Sequence, residues 1–178
     1  MIDKLKEMLE MQAKLDEAIF AEHGTSYEEI LEGNGFFWAI LDELGEWTHE
    51  RKPEWCWWKK EKKPVNRQKE LEEFVDTLHF AMSRDLAAWD GLKDGIHWSI
   101  FPFTIEGELL TESRKNLSLE KRISWFLYRL AEPTNINKPT MTGQALSIAQ
   151  AVGYSFDEIY EAYMAKNKVN FERLANGY

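Results

Sequence analysis

Two pairs of acidic residues are set apart by their spacing. Glu43 and Glu46 lie three residues apart, and so do Glu73 and Asp76. On a helix that interval puts both carboxylates of a pair on one face. Residues 42–50 also hold Asp42 and Glu50, and residues 70–76 also hold Glu70 and Glu72, so two short runs carry eight of the 31 acids. If the two helices are neighbours, four carboxylates converge. At about 5 Å, such charges repel by several kcal/mol at intermediate dielectric. A cation between them would let all four stay ionised. Oxygen donors alone favour Mg²⁺, or Mn²⁺, over Zn²⁺ and Cu²⁺. A carboxylate-bridged di-iron centre wants Glu-x-x-His on two helices, which these pairs do not supply.

The plain alternative for an E-x-x-E pair in an acidic helical protein is an exposed, solvated face. The flanking residues weigh against it. Glu43 and Glu46 sit among Leu41, Leu44 and Trp47; Glu73 and Asp76 sit among Leu71, Phe74, Val75 and Leu78. Lys69 is spaced to pair with Glu73, and no Lys or Arg is so spaced for Glu43 or Asp76. A metal accounts better for such an unpaired cluster.

The C-terminal stretch has the opposite sign. Lys166, Asn170 and Arg173 fall at i, i+4 and i+7, one stripe of a helix. Two cations and an amide beside a metal site would bind the oxygens of a polyanion, Arg bidentately. The alternative is a basic last turn that offsets the helix dipole.

The elements that must position these residues are helical. Ile2, Leu5, Leu9, Gln12, Leu15 and Ile19 predict an amphipathic helix over 2–22. A short turn at 27–31 and a helix over 36–50 follow. Residues 51–66, with Pro53, Pro64, Trp55-Cys56-Trp57-Trp58 and four Lys between 59 and 63, read as a loop. A third long helix runs over 66–89. Residues 90–117 are the least helical part, and Ile96–Ile105 reads as a short hairpin or an irregular insert. Ser118 is placed to cap a helix over 119–131, and Gly153 to end one over 140–152. Ser155 and Glu158 form a capping box that opens a last helix over 156–175. The expected fold is all-α, one domain over 1–178. Its four-helix core carries the metal site, with an aromatic-rich insert at 90–139.

Composition narrows the partners. The net charge of −9 argues against a nucleic-acid polymer. The longest apolar run, Phe36–Leu41, is far short of the roughly 20 residues of a membrane helix. The N-terminus is charged where a secretory leader is apolar. One cysteine, Cys56, excludes an intramolecular disulfide and fits a reducing compartment. The expected location is cytoplasmic. Cys56 has no base placed near it and is expected to pack rather than react.

Glu43-Leu-Gly-Glu46, followed after 26 residues by Glu73-Phe-Val-Asp76, resembles the E-x-x-E…E-x-x-D metal motif of the all-α nucleoside triphosphate pyrophosphohydrolases. The tail from Tyr163 to Tyr178, Trp57-Trp58-Lys59, and Asp76-Thr-Leu-His79-Phe80 are similar to the dimeric dUTPase branch, as is Met11-Gln12-Ala-Lys-Leu15-Asp16. The likeness covers 5–83 and 140–178 well and 90–139 poorly. Leu174 stands where the family often has Gln, and Leu15 where some members place a polar base contact.

The resemblance implies a homodimer that hydrolyses dUTP, and also dUDP, to dUMP with Mg²⁺, by attack at the β-phosphorus. Glu43, Glu46, Glu73 and Asp76 would hold the metal, and Glu46 would orient or deprotonate the water. Lys166, Asn170, Arg173 and Tyr178 would bind phosphates, with Lys59 as a further contact. Exposed Lys are common, and 59–63 also reads as a solvated loop. Gln12 and Asn167 are candidate base or sugar contacts, since an amide both donates and accepts. Trp57 or Trp58 could stack on the base, although most of the eight Trp belong to core or interface. His79 is a candidate partner for a metal carboxylate, or a buried structural histidine. The 90–139 region is expected to form a dimer contact and a lid. The competing readings are a dCTP or broader dNTP pyrophosphohydrolase, a non-catalytic helical binding or scaffold protein, and a carboxylate-bridged redox bundle.

Overall fold

The computed structural model describes residues 1–90, 96–110, 116–135 and 140–177. Among them are nine helices: α1 (Ile2–His23), α2 (Tyr27–Glu32), α3 (Gly35–Glu50), α4 (Lys52–Trp55), α5 (Arg67–Asp90), α6 (Ile96–Leu110), α7 (Leu119–Ala131), α8 (Met141–Val152) and α9 (Phe156–Ala175). No strand occurs among the described residues, so the fold is all-α.

The long helix α5 organises the packing. Its apolar residues Leu71, Phe74, Val75, Leu78, Met82 and Leu86 are all buried. They recur every three or four residues, so one broad stripe faces inward. Around α5 pack α1, α3, α8 and α9. Trp47 of α3 meets Phe74 of α5 edge-on, with ring centroids 5.7 Å apart. α6 packs on α8 and α1, and α7 packs on α8. This arrangement brings the acidic faces of α3 and α5 alongside the basic stripe of α9.

Helix ends follow the expected signals. Ser118 accepts a hydrogen bond from the Lys121 amide. Ser155 and Glu158 make both bonds of the capping box. Gly153 ends α8 at φ 91°, a left-handed conformation that costs a side-chain-bearing residue energy.

Two expectations change. The stretch Ile96–Ile105 lies within the helix Ile96–Leu110, not in a hairpin or irregular insert. Its sequence is mostly apolar with no clear polar face, so periodicity could not separate strand from buried helix. Burial makes the helical period plain, because Phe101, Ile105 and Leu109 point inward at intervals of four. Pro102 sits inside this helix and leaves one backbone hydrogen bond unmade. The second change lies in 51–66, where Lys52–Trp55 form a short helix. Pro53, near its start, suits a position whose amide has no helical partner. Cys56, just after it, is fully buried, as expected of packing. The aromatics of 90–139 divide. Phe101 and Phe126 are core residues, whereas Phe103, Trp125 and Tyr128 are largely exposed.

Candidate active site

Glu43 of α3 meets Glu73 and Asp76 of α5. One carboxylate oxygen from each lies within 4.8 Å of the others. All three are partly buried. Loss of solvent, then the charges of Asp76 and Glu46, push Glu43 up to about 7. Burial also raises Glu73, with Glu46 and Asp76 adding to the effect. Asp76 is raised by burial against the opposing pull of Lys166. Three anions here resist being charged together, which is the chemistry a hard cation relieves.

Glu46 stands next to this trio but outside it. Its side chain is exposed, and it lines an open outer groove with Asp42, His49, Glu50, Lys69 and Glu73. The groove encloses about 1010 Å³. Lys69 binds Glu50 at 2.6 Å instead of the expected Glu73. Glu73 is one turn away on α5, whereas Glu50, 19 residues back along the chain, reaches Lys69 from α3. Asp76 does have a cationic partner, contrary to the sequence argument: Lys166 of α9 lies 2.5 Å from it. Spacing along α5 reaches only one turn either way, and Lys166 comes from another helix.

On the inner side of the trio is a cavity of about 330 Å³. Glu43 and Asp76 line it together with Lys166, Asn170 and Arg173, the whole stripe of α9. Carboxylates thus face cations and an amide across a space of small-molecule size. Leu15 and Leu174 add apolar wall.

The far end of the cavity is polar and buried. Gln12 Nε2 donates to Asp16 Oδ1 at 2.9 Å and to Ser83 Oγ at 3.0 Å. Its Oε1 lies 2.6 Å from His79 Nδ1 and 2.9 Å from the Tyr163 hydroxyl. Because Gln12 must present its oxygen to His79, the network assigns the ring proton to Nδ1. Burial pushes His79 down to about 3, so the ring is neutral. It stacks on Tyr163 with centroids 4.4 Å apart.

Several expectations therefore move. His79 hydrogen-bonds Gln12, not a carboxylate of the trio, because it sits a turn further along α5, opposite α1 and α9. The second of the two readings, a buried histidine, is the one that fits. Gln12 lines the cavity, but its amide is already committed to four partners. Asn167 is fully buried, with its Nδ2 donating to Tyr163 at 3.4 Å. Trp57 and Trp58 are exposed and pack edge-on at 5.6 Å, and neither lines the cavity. Lys59 is exposed and does not line it either. Tyr178 lies outside the described residues.

Asp16 and Ser83 were missed as candidates, yet both line the cavity. Asp16 also accepts from Ser83 at 2.9 Å and from Tyr27 at 2.8 Å. Burial pushes it up to about 6. The available signal was its position four residues after Gln12, on the same face of α1.

No curated protein and no solved structure gave a significant match to the chain. A family model described as dUTPase matches residues 4–178, nearly the whole sequence. That match takes in both acidic helices and the described basic stripe, and on its strength the chain belongs to the dUTPase family, in its all-α form.

Proposed function

We propose that this protein hydrolyses dUTP to dUMP and pyrophosphate in a Mg²⁺-dependent reaction, and dUDP to dUMP and phosphate. Family membership indicates a dUTP diphosphatase. The observation that carries the finer reading is the convergence of Glu43, Glu73 and Asp76 beside a cavity lined by Lys166, Asn170 and Arg173. The donors are all carboxylate oxygens and each is raised in pKa, which fits Mg²⁺ or Mn²⁺. Glu43, Glu73 and Asp76 would hold the metal, with Glu46 as a fourth ligand from the outer groove.

When bound, the cation would neutralise triphosphate charge and lower the pKa of the attacking water. The chain's own groups do the rest. Lys166 and Arg173 bind phosphate oxygens and stabilise the charge that develops on the leaving pyrophosphate. Asn170 orients those oxygens by hydrogen bonding. Glu46, solvent-accessible beside Glu73, accepts the proton of the attacking water. The buried polar end, with Asp16, Ser83 and the Gln12–His79 pair, faces the base and sugar. The C-terminal Tyr178 joins the phosphate contacts, and Trp57, Trp58, Lys59 and Asn167 remain candidates for contacts made in a closed, substrate-bound form.

Glu46→Gln tests this assignment. It should lower kcat by about 10²–10⁴-fold, the usual worth of a general base, while far-UV CD and melting stay near wild type. Turnover of dUTP at the wild-type rate would sink the role of Glu46. We further propose a single domain acting in the cytoplasm as a homodimer, with exposed Phe103, Trp125 and Tyr128 as candidate contacts. Light scattering reads the homodimer directly, and a monomer would remove it.

A further inference from the structure

Lys166 is bound to the carboxylate trio rather than free in the cavity. Its Nζ donates to Asp76 Oδ2 at 2.5 Å. Its charge also lowers the pKa of both Glu43 and Glu73. One ammonium therefore partly offsets three converging anions. The pair is shielded, with side-chain exposures of 24% for Lys166 and 14% for Asp76. An ion pair in such surroundings is screened less than one on the open surface. Lys69 provides the contrast. Its charge is felt at Glu73, but its ammonium rests on Glu50.

Resting on the metal reading given above, we propose that Lys166 is a resident counter-ion of the trio, and that it couples metal binding to triphosphate binding. Its ammonium and a divalent cation neutralise the same carboxylate, Asp76, so they compete for it. A triphosphate in the cavity offers the ammonium another anion. Lysine carries a compact charge on a flexible four-carbon stem, which suits a move between two nearby anions. Once the ammonium turns to a phosphate oxygen, Asp76 is released to the metal. Each ligand then raises the affinity for the other, and linkage makes the effect equal in both directions. Lys166 acts here as a positioning residue, because it governs the availability of Asp76.

The test is Mn²⁺ binding, followed by electron paramagnetic resonance, to wild type, Lys166→Gln, Lys166→Met and Lys69→Gln. Each is measured with and without the non-hydrolysable analogue α,β-imido-dUTP. Without nucleotide, both Lys166 variants should bind Mn²⁺ about fivefold or more tighter than wild type, the low end of common coupling factors. The tightening that nucleotide causes in wild type should shrink by the same factor in those variants. Lys69→Gln removes a nearby positive charge that does not touch the trio, and its shift should be smaller. Two Lys166 variants are used so that a folding defect in one, seen by CD, leaves the comparison intact. Nucleotide-free affinities equal to wild type, or shifted no more than in Lys69→Gln, would overturn the coupling. No Mn²⁺ binding by wild type under either condition would overturn the metal reading itself, and the coupling with it.

Discussion

Glu43→Gln is expected to reduce kcat for dUTP by about 10³-fold or more, roughly 4 kcal/mol of transition-state stabilisation. The same substitution should leave the melting temperature of the Mg²⁺-free protein unchanged or higher. Both effects come from one geometric fact. Glu43 contributes an oxygen within 4.8 Å of oxygens from Glu73 and Asp76, and all three resist being charged together. Replacing a carboxylate by a neutral amide of similar shape relieves that repulsion. It also removes a hard anionic donor that a divalent cation needs. Steady-state kinetics with Mg²⁺ and calorimetry without it read the two sides separately. A variant that melts well below wild type would mean that Glu43 has a structural role instead.

Glu70→Ala is expected to do the reverse. Glu70 is almost fully buried and bonds both Arg51 and the hydroxyl of Tyr154, the latter at 2.7 Å. Removing it deprives a largely buried guanidinium of its buried partner and leaves the Tyr154 hydroxyl with only the Arg67 carbonyl, at 3.1 Å. Breaking such a pair costs about 3–5 kcal/mol. The salt bridge from Arg51 to Glu54 at 2.9 Å should hold the loss near the lower figure. For a chain of this length, about 3 kcal/mol lowers the melting temperature by about 10 °C. Well below that temperature, kcat should match wild type, since Glu70 does not line the cavity or join the trio. Thermal denaturation followed by CD, with kinetics at low temperature, checks both parts.

These two glutamates show what the sequence reveals and what it hides. Both belong to the acidic runs that first drew attention, and spacing alone separates them only in part. The i, i+3 interval picks out Glu43, Glu73 and Asp76 because helix geometry is local and regular. The role of Glu70 depends on Arg51 and Tyr154, which lie 19 and 84 residues away along the chain. No local rule reaches that far. The partner of Asp76 was missed for the same reason, since Lys166 is 90 residues distant.

Most helix boundaries were legible, because caps such as Ser155–Glu158 and terminators such as Gly153 act over three or four residues. Helix α6 was not, because its mostly apolar sequence has no single polar face to show its period. The chemistry of the inner cavity was half legible. Gln12 was singled out as a candidate base contact and His79 for its place three residues after Asp76, yet their mutual hydrogen bond appears only when α1 and α5 are packed together. Asp16 was passed over as one more acid in an acidic chain, although burial sets it apart from most of them. The net charge of −9 has a similar lesson. It argues against a long polyanion, but its uneven placement builds the carboxylate trio on which the proposed binding of a short one rests.

We propose that this protein hydrolyses dUTP at the carboxylate trio and needs Mg²⁺ to do so. The most direct measurement is pyrophosphate release from dUTP, dCTP, dTTP, dATP and dGTP, each with Mg²⁺ and with excess EDTA. The prediction is turnover of dUTP only with Mg²⁺, yielding dUMP and pyrophosphate, at a higher kcat/KM than any other nucleotide in the set. Turnover of dUTP that persists in EDTA would contradict the metal assignment, a preference for dCTP would contradict the substrate, and no turnover of any nucleotide would contradict both.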